Sequence, residues 1–234
     1  MKNLALLLLG LVGAIVAAEL VLRLLLLVPG GMFAADPDPA WPARRLVPDA
    51  AVTSSFGWDL ANAHHSRINN LGYASPFDYH DGAKVGMVFG DSYVEGLSNG
   101  DDQRLQSFVA RDLGIAPQGI YSFGTSGGAL PHYLGVAALA ARRYRPQWAV
   151  FVVTDHDFVE GFDTEPGFYR WAAAPRTIRL VPDVKRGRFA KMVRGLALSR
   201  YLRLNLKFSP ATLFSSGLTH LIARGRSLRR QVDR

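Results

Sequence analysis

The sequence predicts an α/β fold built on a parallel sheet, and three short apolar runs are the main reason. These runs are residues 85–89, 119–123 and 148–154, and helical patterns at 101–113 and 130–145 separate them. Strands that alternate with helices through short connections are typical of a parallel sheet that is covered on both faces. We therefore expect a three-layer domain whose strand ends form a ligand-binding edge.

Composition limits the classes of protein that the chain can represent. Its 234 residues, 49% of them hydrophobic, suffice for one domain of ordinary size beside an N-terminal segment. The absence of cysteine excludes disulfides, thiolate catalysis and cysteine-ligated zinc. His64 and His65 have no carboxylates at metal-ligand spacing, so we expect neither a metal nor a cofactor.

The N-terminal segment predicts a membrane anchor. Residues 4–28 are apolar except for Glu19 and Arg23, and a helix of that length exceeds a hydrocarbon core of roughly 30 Å. Glu19 and Arg23 are four residues apart, so they can pair on one helical face. We expect an uncleaved, single-pass anchor over residues 1–31 in the cell membrane, with lipid as its partner. The alternative is a signal peptide cleaved after the small residues at 16–18.

Three further regions follow the anchor. The prolines at 36–42 predict an extended stalk, with Trp41 at the membrane surface, in a stalk and lead-in that covers residues 32–66. Residues 67–183 form the predicted α/β domain. Residues 184–234 form a basic, largely helical tail, since 185–234 contain 13 Lys or Arg against one acid, Asp233.

The basic tail predicts a covering helix over residues 189–208. The apolar side of this helix is expected to pack at least partly against the domain while its cationic margin faces lipid headgroups or solvent. That apolar side comprises Phe189, Met192, Val193 and Leu196. No nucleic-acid partner is expected, because the tail has no recognisable nucleic-acid motif and the anchor indicates an envelope setting.

A serine is presented where the first apolar run ends. Gly90 and Asp91 close the run, and Ser92 follows immediately. A hydroxyl at the carboxyl end of a core strand lies where parallel sheets bind ligands, so Ser92 is a candidate nucleophile. The alternative is an ordinary turn in which Gly, Asp and Ser serve as turn residues.

Three stretches between residues 69 and 160 resemble the sequence blocks of the SGNH/GDSL hydrolases. They are Gly90-Asp91-Ser92, the stretch from Ser122 to Gly127, and the stretch from Val152 to Asp157. The resemblance, to the membrane-anchored bacterial type, implies a flavodoxin-like three-layer sandwich. It also implies that Ser92 is the nucleophile of an esterase or acyltransferase.

The same resemblance implies roles for the residues around Ser92. The backbone N–H groups of Ser92 and Gly127 would form the oxyanion hole, and Gly90, Asp91 and Asp157 would support it. His156 stands where the family has an asparagine that provides the third oxyanion donor. Ser122 likewise replaces the usual asparagine of the second block.

The family's catalytic base is the part that the sequence lacks. It comes from a late Asp-x-x-His block, which occurs nowhere in this chain. His220 is the one histidine after the third block, with Gly217 in the place of the aspartate, and it is a candidate base. The predicted domain thus looks C-terminally incomplete, and no later strands of the family's sheet are recognisable.

Two functions follow from these observations. One is a membrane-anchored serine esterase or acyltransferase, whose domain is periplasmic or extracellular and acts on O-acyl groups of an envelope glycan or another ester. The other is a non-catalytic remnant of that family that serves as a membrane-bound binding or scaffold protein. The missing base leaves both open.

Overall fold

The computed structural model describes residues 2–32, 34–163, 165–172, 177–182, 192–193 and 195–208. Its helices are α1 (Lys2–Leu24), α2 (Ser92–Glu95), α3 (Leu105–Asp112), α4 (Leu130–Arg143), α5 (His156–Glu160) and α6 (Ala197–Arg200). Its strands are β1 (Ala51–Phe56), β2 (Ala61–Arg67), β3 (Lys84–Gly90), β4 (Ile120–Gly124), β5 (Arg145–Phe151), β6 (Tyr169–Ala172) and β7 (Thr177–Leu180). A π-helical turn, Tyr201–Asn205, follows α6.

The described part of the chain contains a three-stranded parallel sheet in the order β4-β3-β5. The predicted α/β class and the parallel sheet are therefore confirmed. Two antiparallel pairs, β1 with β2 and β6 with β7, lie outside this sheet. The third strand begins and ends three residues earlier than its apolar run predicts, because Arg145 and Pro146 pair with the start of β3.

Side chains alternate between the two faces of β3 and β4, and helices cover both faces. Met87 and Phe89 face α4, whereas Val88 faces α2 and α3. Leu105, Val109 and Ala110 from α3 pack on the second face together with Val94 from α2. Period-two alternation and amphipathic helices together produce this layered arrangement.

The prediction that residues 32–66 form a stalk is wrong, because part of this segment packs into the folded domain. Trp41 is only 2% exposed, and its ring stacks on Phe123 of β4 with the ring centroids 6.1 Å apart. Its indole N–H donates to the Tyr73 hydroxyl at 3.1 Å. Prolines make this backbone extended, but an extended segment that runs along the domain can still bury an aromatic side chain in its core. This segment also includes β1 and most of β2.

The β-branched third run, residues 148–154, predicts a buried strand, and this prediction is also wrong. β5 is largely exposed, and Val150 and Phe151 are 42% and 36% exposed. In the described part of the chain β5 is an edge strand, so its outer side has no neighbouring strand. A β-branched apolar run predicts strand structure, whereas burial depends on which elements pack beside it.

α1 is long and apolar enough to cross a membrane by its length and composition. It ends at Leu24, earlier than expected, and Leu26 has a positive φ of 53°. The predicted ion pair is confirmed, since Arg23 Nε lies 2.6 Å from Glu19 Oε1. Glu19 also accepts hydrogen bonds from the backbone N–H groups of Ala197 and Leu198, so it caps α6.

The tail differs from the predicted continuous helix. Leu196 has extended backbone angles and interrupts the helical run. Met192 is largely exposed, Leu196 is 38% exposed and Val193 is half-buried, whereas Phe189 lies outside the described residues. Ala197 is the buried contact instead, and it packs against Val28 and Leu60 beside the end of α1.

Candidate active site

Ser92 lies at the carboxyl edge of the sheet, as the sequence predicts. β3 ends at Gly90, and the Asp91 carboxylate accepts the Tyr93 N–H at 2.9 Å, which caps the single turn of α2. That turn ends at Gly96, whose φ of 58° is a left-handed conformation that glycine adopts without strain. Ser92 is the first residue of the turn, and it is exposed to solvent.

Two glycines allow α2 to sit directly on the strand ends. A Cβ added to Gly90 would come within 2.4 Å of the Val94 side chain, and one added to Gly124 would come within 2.1 Å of the Glu95 nitrogen. Any other residue at either position would push the turn away from the sheet. The local sequence therefore determines how closely Ser92 approaches the edges of β3 and β4.

Gly127 lies in the loop after β4, with a φ of +79°. Its carbonyl accepts a hydrogen bond from Arg170 Nη2 at 3.0 Å, which holds this loop against β6. Among the described residues, the N–H groups of Ser92 and Gly127 have no hydrogen-bond acceptor.

Asp157 is a buried carboxylate in the loop region after β5. It is 1% exposed and accepts hydrogen bonds from the Tyr133 hydroxyl at 2.7 Å and the Thr154 N–H at 2.6 Å. Burial, together with this hydrogen bond and the charge of Asp157, raises the pKa of Tyr133 above its ordinary value. Asp157 therefore joins the loop after β5 to α4.

His156 is exposed, and its ring is oriented by the preceding residue. Its Nδ1 lies 2.7 Å from Asp155 Oδ1, with 76% of the histidine side chain accessible. This hydrogen bond is the leading reason that the pKa of Asp155 lies below its ordinary value. The resemblance singled out His156 but not Asp155, although adjacency in the sequence was a usable signal.

A second serine, Ser126, pairs with a buried carboxylate that the sequence did not reveal. The Ser126 hydroxyl donates to Oε2 of Glu95, which is only 6% exposed. Burial raises the pKa of Glu95 to about 6. Glu95, Thr125 and Ser126 line a cavity of about 110 Å³, together with Arg44. The two partners are 31 residues apart, so no local motif predicts the pair.

The remaining candidates add little to this site. Asp91 has a raised pKa, mainly because it is partly buried and secondly because Asp157 is nearby. His220 lies outside the described residues. No cluster of three or more potential metal ligands occurs among the residues that the structure describes.

Comparison of the chain with known protein families, with curated proteins and with solved structures finds no match.

Proposed function

We propose that this chain is a membrane-anchored serine hydrolase of the SGNH/GDSL type. It acts as an esterase or acyltransferase on O-acyl groups of an envelope glycan or a similar ester. α1 holds the domain at the membrane surface, on the periplasmic or extracellular side. This setting is the reason for preferring an envelope substrate over a soluble metabolite.

The exposure of Ser92 beside unused backbone donors is the observation that carries the proposal. The hydroxyl stands at the carboxyl edge of the parallel sheet, where such folds bind ligands. Ser92 and Gly127 supply N–H groups that no described acceptor engages. Acyl transfer by serine needs a hydroxyl and preorganised donors of this kind.

A fluorophosphonate probe tests the proposal on the full chain in detergent micelles. We expect stoichiometric labelling at neutral pH, with the modified residue identified as Ser92 by mass spectrometry. Ser92→Ala should abolish labelling and lower the hydrolysis of short-chain nitrophenyl esters by several orders of magnitude. Ser199→Ala is the matched control, since it removes a partly exposed serine of α6, away from this edge of the sheet, and should leave both activities.

A non-catalytic, membrane-bound binding or scaffold protein is the second candidate. One observation favours it, namely that the Ser92 hydroxyl has no hydrogen-bond partner among the described residues. A serine without a base has no activated oxygen. Absence of labelling at Ser92, in protein that melts cooperatively, would favour this candidate and reject the hydrolase.

A further inference from the structure

The serine hydrolase needs a base, and one of the five histidines that the structure describes suits that task. His132 is 1% exposed, and burial lowers its pKa to about 3. His80 precedes β3 and thus lies toward the amino end of the sheet. His64 and His65 bond to the side chains of Asn62 and Thr53. Among the described histidines, only His156 is hydrogen-bonded to a carboxylate.

The bond to Asp155 determines which ring nitrogen of His156 carries the proton. An ionised carboxylate accepts hydrogen bonds and donates none, so Nδ1 must hold the hydrogen at the 2.7 Å contact. The neutral ring then has a lone pair on Nε2. A nitrogen in that state accepts a proton and cannot donate a hydrogen bond to an oxyanion, which makes the neutral ring a base.

The strand register places His156 and Ser92 at the same edge of the sheet. β3 and β5 are parallel neighbours with Phe89 opposite Phe151, and the Val152 N–H donates to the Phe89 carbonyl at 2.9 Å. Ser92 follows the end of β3 by two residues, and His156 begins the helix that follows β5. Each therefore follows the carboxyl end of its strand, and the two strands are parallel neighbours.

The residues next to these two are also electrostatic neighbours. The charge of Asp157 contributes to the raised pKa of Asp91, and both carboxylates, with Glu160, contribute to that of Tyr133. Asp91 directly precedes Ser92, and Asp157 directly follows His156. The two strand ends therefore lie close enough for Asp91 and Asp157 to interact.

We propose that Asp155 and His156 form the base of this site, with His156 as the catalytic residue and Asp155 as its positioning residue. The inference rests on the serine-hydrolase proposal and replaces the oxyanion-donor role that the resemblance implied. Nucleophile, base and orienting carboxylate then come from the ends of two adjacent strands, and no late Asp-x-x-His block is required.

The proton and the acyl group follow a balanced course. His156 Nε2 takes the Ser92 proton while Oγ bonds to the acyl carbon, and the carbonyl electron pair moves to its oxygen. The N–H groups of Ser92 and Gly127 bind that oxyanion. On collapse, the C–O bond to the alcohol breaks, and Nε2–H protonates the departing oxygen. Water or an acceptor hydroxyl then attacks the acyl carbon while His156 Nε2 takes its proton. The bond from the acyl carbon to Ser92 Oγ breaks, and Nε2–H returns the proton to Oγ.

His156→Asn separates the base from an oxyanion donor, because an amide donates a hydrogen bond but does not take up a proton at neutral pH. We expect kcat/KM for a nitrophenyl ester, and the rate of fluorophosphonate labelling, to fall by about 10²- to 10⁴-fold. Added imidazole should restore part of the activity of His156→Ala. His80→Asn is the matched control, being an exposed histidine away from this edge, and should match the wild type.

Asp155→Ala tests the positioning role. We expect kcat to fall about tenfold or more with KM unchanged, and Asp155→Glu to recover part of the loss. Retention of wild-type labelling by His156→Asn overturns the base assignment while the hydrolase stands. An unreactive Ser92 in the wild type overturns both. Because His156 and Asp155 are exposed, the melting temperature of each variant shows whether a loss reflects chemistry or folding.

Discussion

Replacing Trp41 by alanine tests whether residues 32–66 belong to the folded core. The ring is 2% exposed, stacks on Phe123, meets Tyr73 edge-on with centroids 6.2 Å apart, and donates to the Tyr73 hydroxyl. Removing a buried tryptophan costs about 3–5 kcal/mol, including the cavity that remains. A domain of 150–250 residues loses about 2–4 °C in Tm per kcal/mol. Trp41→Ala should therefore lower Tm by roughly 6–20 °C.

Thermal unfolding followed by near-ultraviolet circular dichroism, with the full chain in detergent, measures this change. Trp58→Ala is the matched control, because that ring is 77% exposed and its loss should change stability by less than about 0.5 kcal/mol. Equal melting temperatures for Trp41→Ala and Trp58→Ala would refute the packing argument. That result would return residues 32–66 to the role of a stalk.

Three other predictions concern a buried carboxyl, a buried hydrogen bond and the membrane. Glu95 has a pKa raised from 4.5 to about 6, so its contribution to stability is present below pH 4.5 and is lost as pH rises through 6. Between pH 4.5 and pH 7.5 the free energy of unfolding of the wild type should fall by about 2 kcal/mol because of Glu95, and Glu95→Gln should not show this fall. Denaturant unfolding at the two pH values measures it, and the same pH dependence in both proteins would contradict the prediction. Asp157→Ala should destabilise the domain by about 3 kcal/mol because the buried Tyr133 hydroxyl and the partly buried Thr154 N–H lose a charged acceptor, whereas Asp112→Ala, at an exposed position, should have little effect by the same measurement. Protease added to intact spheroplasts should digest the domain if the N terminus is cytoplasmic, and digestion only after lysis would reverse that topology.

The elements that the sequence predicted well are those determined by local patterns. The apolar run of β3 and the helical period of α4 determine these elements because backbone geometry repeats along the chain. The pairing of Glu19 with Arg23 follows from helical spacing in the same way. The turn that presents Ser92 was also recognisable, since Gly90 and Asp91 are adjacent to it.

Contacts between distant residues were decided only by the tertiary structure. The burial of Trp41, the exposure of β5 and the bond between Glu95 and Ser126 each depend on which segments meet in space. The Leu196 break in the tail has the same origin, because Glu19 in α1 supplies the cap at which α6 begins. The roles of Asp155 and His156 combine both levels. Asp155 and His156 are consecutive in the sequence. Only the parallel pairing of β3 and β5 brings them to the carboxyl edge of the sheet, where Ser92 lies.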